Sequence, residues 1–261
     1  MKKILRVAEG FFINTILITF LVCPGLFAAE EILPTPEDII VKNNEAMGGK
    51  EALKKIKNKK TVTTKIFPQR NKKIKATDYK EPPNNYYQSS SGGTSIGTNG
   101  KIAWIINPKT GVRLLEGLEA SIYLSAGRIY RPDVPYKSMK TEGIEQINGK
   151  DCYKVVKTPE KGNEKIFYYD TKSFLIVKTI DFFKLPQRGN NKFEVYFEGY
   201  QKINGILFPY KEVHFSNGQK IEERTYEKIE LNIEMPEGIF DIPEDLKAIM
   251  NKNETEQHAQ Q

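Results

Sequence analysis

The chain has 261 residues, 39% hydrophobic and 28% charged, with a formal net charge of +7 and two cysteines. The lysines are spread along its length, apart from Lys54, Lys55, Lys57, Lys59 and Lys60, and no recognition motif accompanies them, so nucleic acid is excluded as a partner. With Cys23 in an N-terminal segment that export removes, Cys152 stays single, which excludes an intramolecular disulfide and leaves stability to burial.

The first residues set the compartment. Lys2, Lys3 and Arg6 precede an apolar run from Phe11 through Val22 that is too short to span a bilayer comfortably, the pattern of a secretory signal peptide over residues 1–29. Cleavage is expected after Ala28 or Ala29, which places the mature protein in the periplasm. Lipidation of Cys23 needs a small residue before it, and Val22 stands there. The roughly 230 remaining residues carry no Pro/Ser-rich linker and read as one domain over 30–250.

Thr35 is placed to cap a helix that begins at Pro36, with Glu37 and Asp38 in its first turn. Gly48-Gly49 closes it, and Lys50 to Ile56 begins a second short helix with Ala52, Leu53 and Ile56 buried. Strands are predicted over Thr61 to Phe67, Lys72 to Lys80, Tyr86 to Ser90, Lys101 to Ile106 and Val112 to Leu115. Leu118 to Tyr130 then reads as helical, stopped by Pro132 and Pro135, and serves as a mobile lid or as a plain crossover. Further strands follow over Thr141 to Ile147, Cys152 to Lys157, Lys165 to Tyr169, Phe174 to Phe183, Lys192 to Gln201, Ile206 to Phe215 and Lys220 to Leu231. Residues 251–261, NKNETEQHAQQ, lack the apolar content to repay ordering and are expected as a disordered tail.

Four Asn-Gly pairs, at 99–100, 148–149, 204–205 and 217–218, join these runs. Both residues tolerate the positive φ of a type I′ hairpin turn, so the chain reads as an antiparallel meander. Such a sheet has no parallel switch point for a nucleotide, and its curved face is the expected working surface. Phe174 to Phe183 and Ile102 to Ile106 are apolar on both faces, which demands cover on both sides and implies a second greasy surface. The candidate lining is Ile102, Trp104 and Ile106, with Phe193, Val195 and Phe197 from a strand whose other face carries Glu194 and Tyr196. Trp104 reads equally as a cargo contact or a core residue.

The helix-Gly-Gly-helix opening DIIVKNNEAMGGKEALKKI, the hairpin TNGKIAWIINPKTG, the closing pair GYQKINGILFPYKEVHFSNGQK and the segment FDIPED together resemble the outer-membrane lipoprotein-sorting family, the LolA-like periplasmic carriers. Its most specific piece is the turn followed by Lys, Trp and Pro, here Asn99, Gly100, Lys101, Trp104 and Pro108, with Asn99 where the family usually has Asp. The resemblance implies a mainly β fold, an unclosed antiparallel β-barrel (a half-barrel) wrapped around N-terminal and mid-chain helices. It further implies binding and transfer of lipid or lipoprotein acyl chains without covalent chemistry, by a monomer with membrane donor and acceptor proteins. In the segment matching YKEPPNNYYQ the carriers have an arginine before the proline. Here Glu81 or Pro82 stands in its place, which implies a different cargo or different gating.

Two other readings remain open. One is an envelope sensor or protein-binding module on the same fold. The other is a hydrolase, because Gly93 to Gly97 fits G-x-S-x-G around Ser95, and His214 follows. A nucleophile elbow requires a strand before the serine and a helix after it, whereas a hairpin turn and the Trp104 strand follow Ser95, so no enzymatic role is expected. His214 and His258 are the only histidines and no paired cysteines occur, so neither a metal nor another cofactor is expected.

Overall fold

A computed structural model describes residues 32–124, 126–127, 129, 136–160, 162–185 and 189–258, so the segment expected as a signal peptide lies outside the described residues. Helix α1 (Pro36–Ala46) starts where the capping residues predict. The Thr35 hydroxyl accepts from the Asp38 amide at 3.1 Å, Pro36 occupies a position that needs no N–H, and Glu37 and Asp38 stand at the positive end of the helix dipole. Gly48 and Gly49, at φ of 122° and 93°, turn the chain into α2 (Lys50–Lys54). A Cβ on Gly48 would lie 2.6 Å from the Gly205 carbonyl oxygen, so this glycine is needed for close approach as well as for its dihedral.

The remainder is mostly strand: β1 (Lys59–Phe67), β2 (Lys72–Glu81), β3 (Asn85–Ser90), β4 (Ser95–Asn99), β5 (Ala103–Asn107) and β6 (Gly111–Leu115) lead into α3 (Gly117–Tyr123). Then come β7 (Tyr136–Ile147), β8 (Lys150–Pro159), β9 (Lys165–Asp170), β10 (Ile176–Leu185), β11 (Gly189–Glu198), β12 (Gln201–Ile203), β13 (Ile206–Phe208), β14 (Lys211–Ser216), β15 (Gln219–Leu231) and α4 (Glu244–His258). Thirteen strands form one antiparallel sheet in the order β6-β5-β4-β3-β2-β1-β15-β14-β11-β10-β9-β8-β7, and β12 and β13 pair separately. Two meanders are thus joined at the centre by the C-terminal hairpin β14–β15. The outer strands β6 and β7 do not pair with each other, and the sheet is an unclosed half-barrel around its helices.

The Asn-Gly turns are of two kinds. Asn148, Asn204 and Asn217 take φ of 51°, 48° and 49°, each followed by a glycine at positive φ, the type I′ pattern. At Asn99-Gly100 only the glycine is left-handed; the Asn99 side chain instead accepts from the amides of Lys101 and Ile102, in a wider loop between Thr98 and Ala103.

Several boundaries differ from the sequence reading: β7 begins at Tyr136 rather than Thr141, β10 at Ile176 rather than Phe174, α3 ends at Tyr123, and the run Lys192 to Gln201 divides after Glu198. Ser95–Asn99 is a full strand, in a stretch between two predicted strands where none was expected. The run Ile206 to Phe215 divides at Pro209, which has no N–H to give a ladder, so β13 folds over α2 while β14 joins the large sheet. Helix α4 continues to His258, so residues 251–258 are helical where composition suggested no secondary structure. Its alternation of Glu, Lys and Asn carries no apolar face, but the helix is already nucleated at Leu246, which is buried. Residues 259–261 lie outside the described residues.

Candidate functional site

Directly paired residues of an antiparallel sheet share a face, so register sorts every side chain. Ala103 pairs with Thr98, Thr98 with Tyr86, Tyr86 with Lys80, Lys80 with Lys59 and Lys59 with Leu231. Leu231 packs with Ile229, the α2 residues Leu53 and Ile56, and the hairpin residues Ile206 and Phe208. Ala103 packs with Leu115 and the α3 residue Ala120, and Ile39 of α1 is wholly buried against Val155 and Tyr169. All three helices therefore lie on one face, the concave one. Burial of Ile39 alone is worth about 1.5–3 kcal/mol, which explains how so short a helix stays docked.

The sequence-predicted lining residues are divided by this register. Val195 pairs with His214 and Phe197 with Glu212, which pairs in turn with Arg224, so Phe193, Val195 and Phe197 occupy the concave face. Trp104 neighbours Ala103 along β5 and therefore points the other way, with Ile102 and Ile106. It is 1% exposed, and its ring lies over Gly97, where an added Cβ would come within 2.5 Å. Val112 and Leu114 share that convex side, where with Leu246 and Ile249 of α4 they border a hollow of about 470 Å³. Trp104 thus sits in a packed layer under the α4 side of the sheet, and the two trios do not meet in one cavity.

On the concave face the aromatic strip is only partly covered. Phe193, Phe197 and Phe183 are half-buried, with Phe183 and Phe193 rings 6.3 Å apart and Phe193 meeting the His214 ring edge-on at 5.6 Å. Among the described residues, the packing clusters around Ile39, around Leu53 and Ile56, and around Ala120 include none of these three. The other face of β11, which alternation suggested was wet, buries Glu194 in an ion pair with Lys178 at 2.6 Å.

Between strip and α3 lies what sequence reasoning missed: a charged centre. The Glu212 carboxylate takes a bond from the Tyr226 hydroxyl at 2.7 Å, contacts His214 at 3.0 Å and pairs with Arg224 at 3.4 Å. Burial opposes its ionisation, yet these partners hold its carboxyl well below the usual carboxylate range, and Arg224 is correspondingly held above its own. Asp78 accepts from Tyr86 at 2.7 Å, from Thr61 at 3.4 Å and from Gln88. Burial works against its charge, but Lys65, Tyr86 and Gln88 prevail and hold it low.

The neighbouring lysines are not so served. Among the described residues, no carboxylate lies within 4.0 Å of Lys59, Lys65 or Lys80 in an ion pair. Burial lowers all three, and burial with the adjacent Lys59 charge brings Lys80 down to about 7. Lys59, Lys80, Asp78, Tyr86, Arg224 and Tyr226 wall a cleft of about 180 Å³, roofed by Ile122, Tyr123 and Ala126. Gly127 fixes this roof to the sheet: a Cβ there would lie 2.3 Å from the Asn85 carbonyl oxygen.

Ser95 opens β4 on the convex side, accepting from the Tyr87 hydroxyl at 3.1 Å, while His214 lies on the concave side of β14. No elbow forms, and the two are on opposite faces with three strands between β4's neighbour β3 and β14. Among the described residues no group of three or more His, Cys, Asp or Glu could hold a metal ion, and no helix is long and apolar enough to cross a membrane.

No family model and no curated protein sequence matches the chain. Solved structures do. An outer membrane lipoprotein-sorting protein domain from Vibrio parahaemolyticus superposes with a TM-score of 0.53 at 9% identity, covering 78% of this chain and 95% of that one. A DUF1329 family protein from Desulfovibrio piger gives 0.56 at 12% identity, covering 78% and 96%. A LolA superfamily protein from Nitrosomonas europaea gives 0.53 at 15% identity, covering 80% and 99%. The fold is LolA-like.

Proposed function

We propose that this LolA-like half-barrel binds the acyl chains of a lipid or lipoprotein in the periplasm and passes them on without covalent chemistry. The observation that carries the reading is the strip of Phe183, Phe193 and Phe197, left partly open on the face that the helices otherwise cover. Each methylene laid against such a surface contributes about 0.8 kcal/mol, so part of one acyl chain supplies useful affinity. The unpaired edges at β6 and β7 leave the sheet open-sided, which favours release to an acceptor over permanent capture. A secretory leader places the chain in the envelope, where such cargo must cross water, and a donor and an acceptor at the two membranes complete the cycle. Three solved structures share the fold, and two of them are named for lipoprotein sorting or the LolA superfamily.

The test is binding of palmitate to delipidated mature protein, followed by native mass spectrometry, with Phe193→Ala and Phe197→Asp as site variants. Saturable binding is expected, weakened about tenfold or more by Phe197→Asp, since a carboxylate in an apolar bed is costly. Absence of saturable binding of any acyl ligand, together with ester cleavage lost in Ser95→Ala, would overturn the reading in favour of a hydrolase.

A further inference from the structure

We propose that the cleft beneath α3 receives the anionic head of the acyl ligand, a carboxylate or a phosphate ester, with the Lys59 and Lys80 ammonium groups as its counter-ions. This rests on the acyl-binding reading and specifies the end of the ligand which that reading leaves open.

Lys59 and Lys80 are register partners on adjacent strands, so two cations stand side by side on one face. The carboxylates near them are already committed: Asp78 to Tyr86, Gln88 and Thr61, and Glu212 to Arg224, His214 and Tyr226. What the two ammonium groups meet instead are ring faces, Phe208 at 5.2 Å from Lys59 and Tyr86 at 5.5 Å from Lys80. Both groups border a cleft large enough for a small head group and its water. Two mutually repelling, half-buried cations without an acid are unfavourable in the free protein, and an incoming anion relieves both.

The aromatic strip lies on the same face as the cleft. Arg224 in its wall pairs with Glu212, and Glu212 pairs with Phe197, so the strip begins two strands away, about 10 Å at the usual strand spacing. A head group held under α3 therefore leaves its chain running across β14 onto β11.

A second consequence separates this proposal from generic surface charge. Lys80 binds its proton weakly while the cleft is empty, because burial and Lys59 both disfavour the charge. The groups facing it are Lys59 and Lys65 on β1, Asp78 on β2, Tyr86 on β3, Tyr123 on α3, Glu212 on β14, and Arg224 and Tyr226 on β15. Among these, an anion in the cleft acts most directly on Lys59 and Lys80, the two lysines that line it, so binding near and above pH 7 draws a proton onto Lys80. Affinity for the anion accordingly falls as pH rises past 7.

The experiment compares palmitate and a palmitoyl lysophosphatidic acid with the neutral methyl palmitate, using full-length mature protein, wild type and Lys59→Gln/Lys80→Gln. Lys172→Gln/Lys202→Gln, at exposed lysines in the β9–β10 turn and on the β12 hairpin, is the charge-matched control. Both acidic lipids should bind wild type about tenfold or more tighter than the methyl ester, and the double variant should erase that preference while retaining the ester. Calorimetry of wild type with palmitate in two buffers of different ionisation heat, at pH 7.5, should register proton uptake, a readout that needs no variant. Equal affinity for ester and acid, or a preference that survives in the double variant, overturns the head-group assignment and leaves acyl binding standing. Failure of all three lipids overturns acyl binding itself. Tight binding of inorganic phosphate or acetate alone would instead mark a site for a free small anion and refute the lipid head.

Discussion

Lys157 offers a quantitative test of how the concave face treats charge. Its side chain belongs to a residue 6% exposed, lies 4.2 Å from the centre of the Phe167 ring and donates to the Tyr169 hydroxyl at 3.0 Å. Burial alone pushes its amine from the ordinary 10.5 down to about 8. Lys178 is buried to a similar extent, but against that burial the Glu194 carboxylate at 2.6 Å and Tyr196 together hold the amine above its ordinary value. The unfolded Lys157 amine titrates near 10.5 and the folded one near 8, so between those values the unfolded chain binds more protons and stability rises with pH. The penalty is complete below about pH 8 and is gone above about 10.5. At roughly 1.4 kcal/mol for each pH step between the two titrations, moving from pH 7 to pH 9.5 should return about 2 kcal/mol to the wild type. Attraction to the aromatic faces favours the charged form and takes off up to about 1 kcal/mol. Lys157→Met fills the same space with a flexible apolar chain and cannot titrate. The lost bond to Tyr169 shifts its stability by about 1 kcal/mol at both pH values, so the test is the change in the gap between the two proteins rather than its size. Urea unfolding at pH 7 and 9.5 should show the wild type gaining about 1–2 kcal/mol on the variant, while Lys80 titrates in both and cancels. Parallel profiles would refute the argument that this amine is buried without an acid.

Gly97→Ala should cost about 1–3 kcal/mol in thermal unfolding, since its methyl would meet the Trp104 ring at 2.5 Å, and should shift Trp104 fluorescence as the ring moves. Glu212→Gln should cost about 1–3 kcal/mol at pH 7, because Arg224 keeps Glu222 at 2.8 Å but loses its second acid, and the Tyr226 hydroxyl loses a charged acceptor. The same carboxylate is depressed in the folded state, so its contribution is complete above the ordinary carboxylate range and is lost as pH falls below it; the variant should lack that part of the acid-unfolding slope. Intact mass of the exported protein should begin at Ala29 or Glu30 with no acyl group on Cys23, and a species starting at Cys23 with lipid attached would make it an anchored receptor. Truncation after Met250 keeps Leu246 and Ile249 and should leave the melting temperature unchanged, whereas a loss of several degrees would mean that the last turns of α4 dock.

Much of the fold was legible because its signals are local. Thr35, Pro36 and the Gly48-Gly49 pair each act within a few residues, and three of the four Asn-Gly turns take the conformation that their side chains allow. The misreadings were local signals outvoted by pairing. β4 contains Gly97, a poor strand residue by itself, but glycine is what lets the Trp104 ring lie flat on the neighbouring strand. Pro209 reads as a single interruption in an apolar run, and only the packing of Ile206 and Phe208 on α2 turns it into a change of sheet.

The site was less legible, because which face a residue occupies depends on register across strands far apart in sequence. Trp104 and Phe197 are both large, apolar and flanked by alternating partners, so the sequence assigns them the same role. The pairing of Phe197 with Glu212, and of Glu212 with Arg224, puts one beside the charged centre, while Trp104 turns away under α4. The same limitation hid the lysines. Lys59 stands in a run that reads as the wet exit of a helix, and Lys80 ends an ordinary strand. Only their pairing across β1 and β2, under the roof that Gly127 fixes, makes them a pair. A carrier whose concave face were apolar throughout would hold any greasy chain alike. On the proposed reading, two unanswered cations two strands from an aromatic strip distinguish the two ends of the ligand, and the direction in which it enters and leaves follows from which end is held.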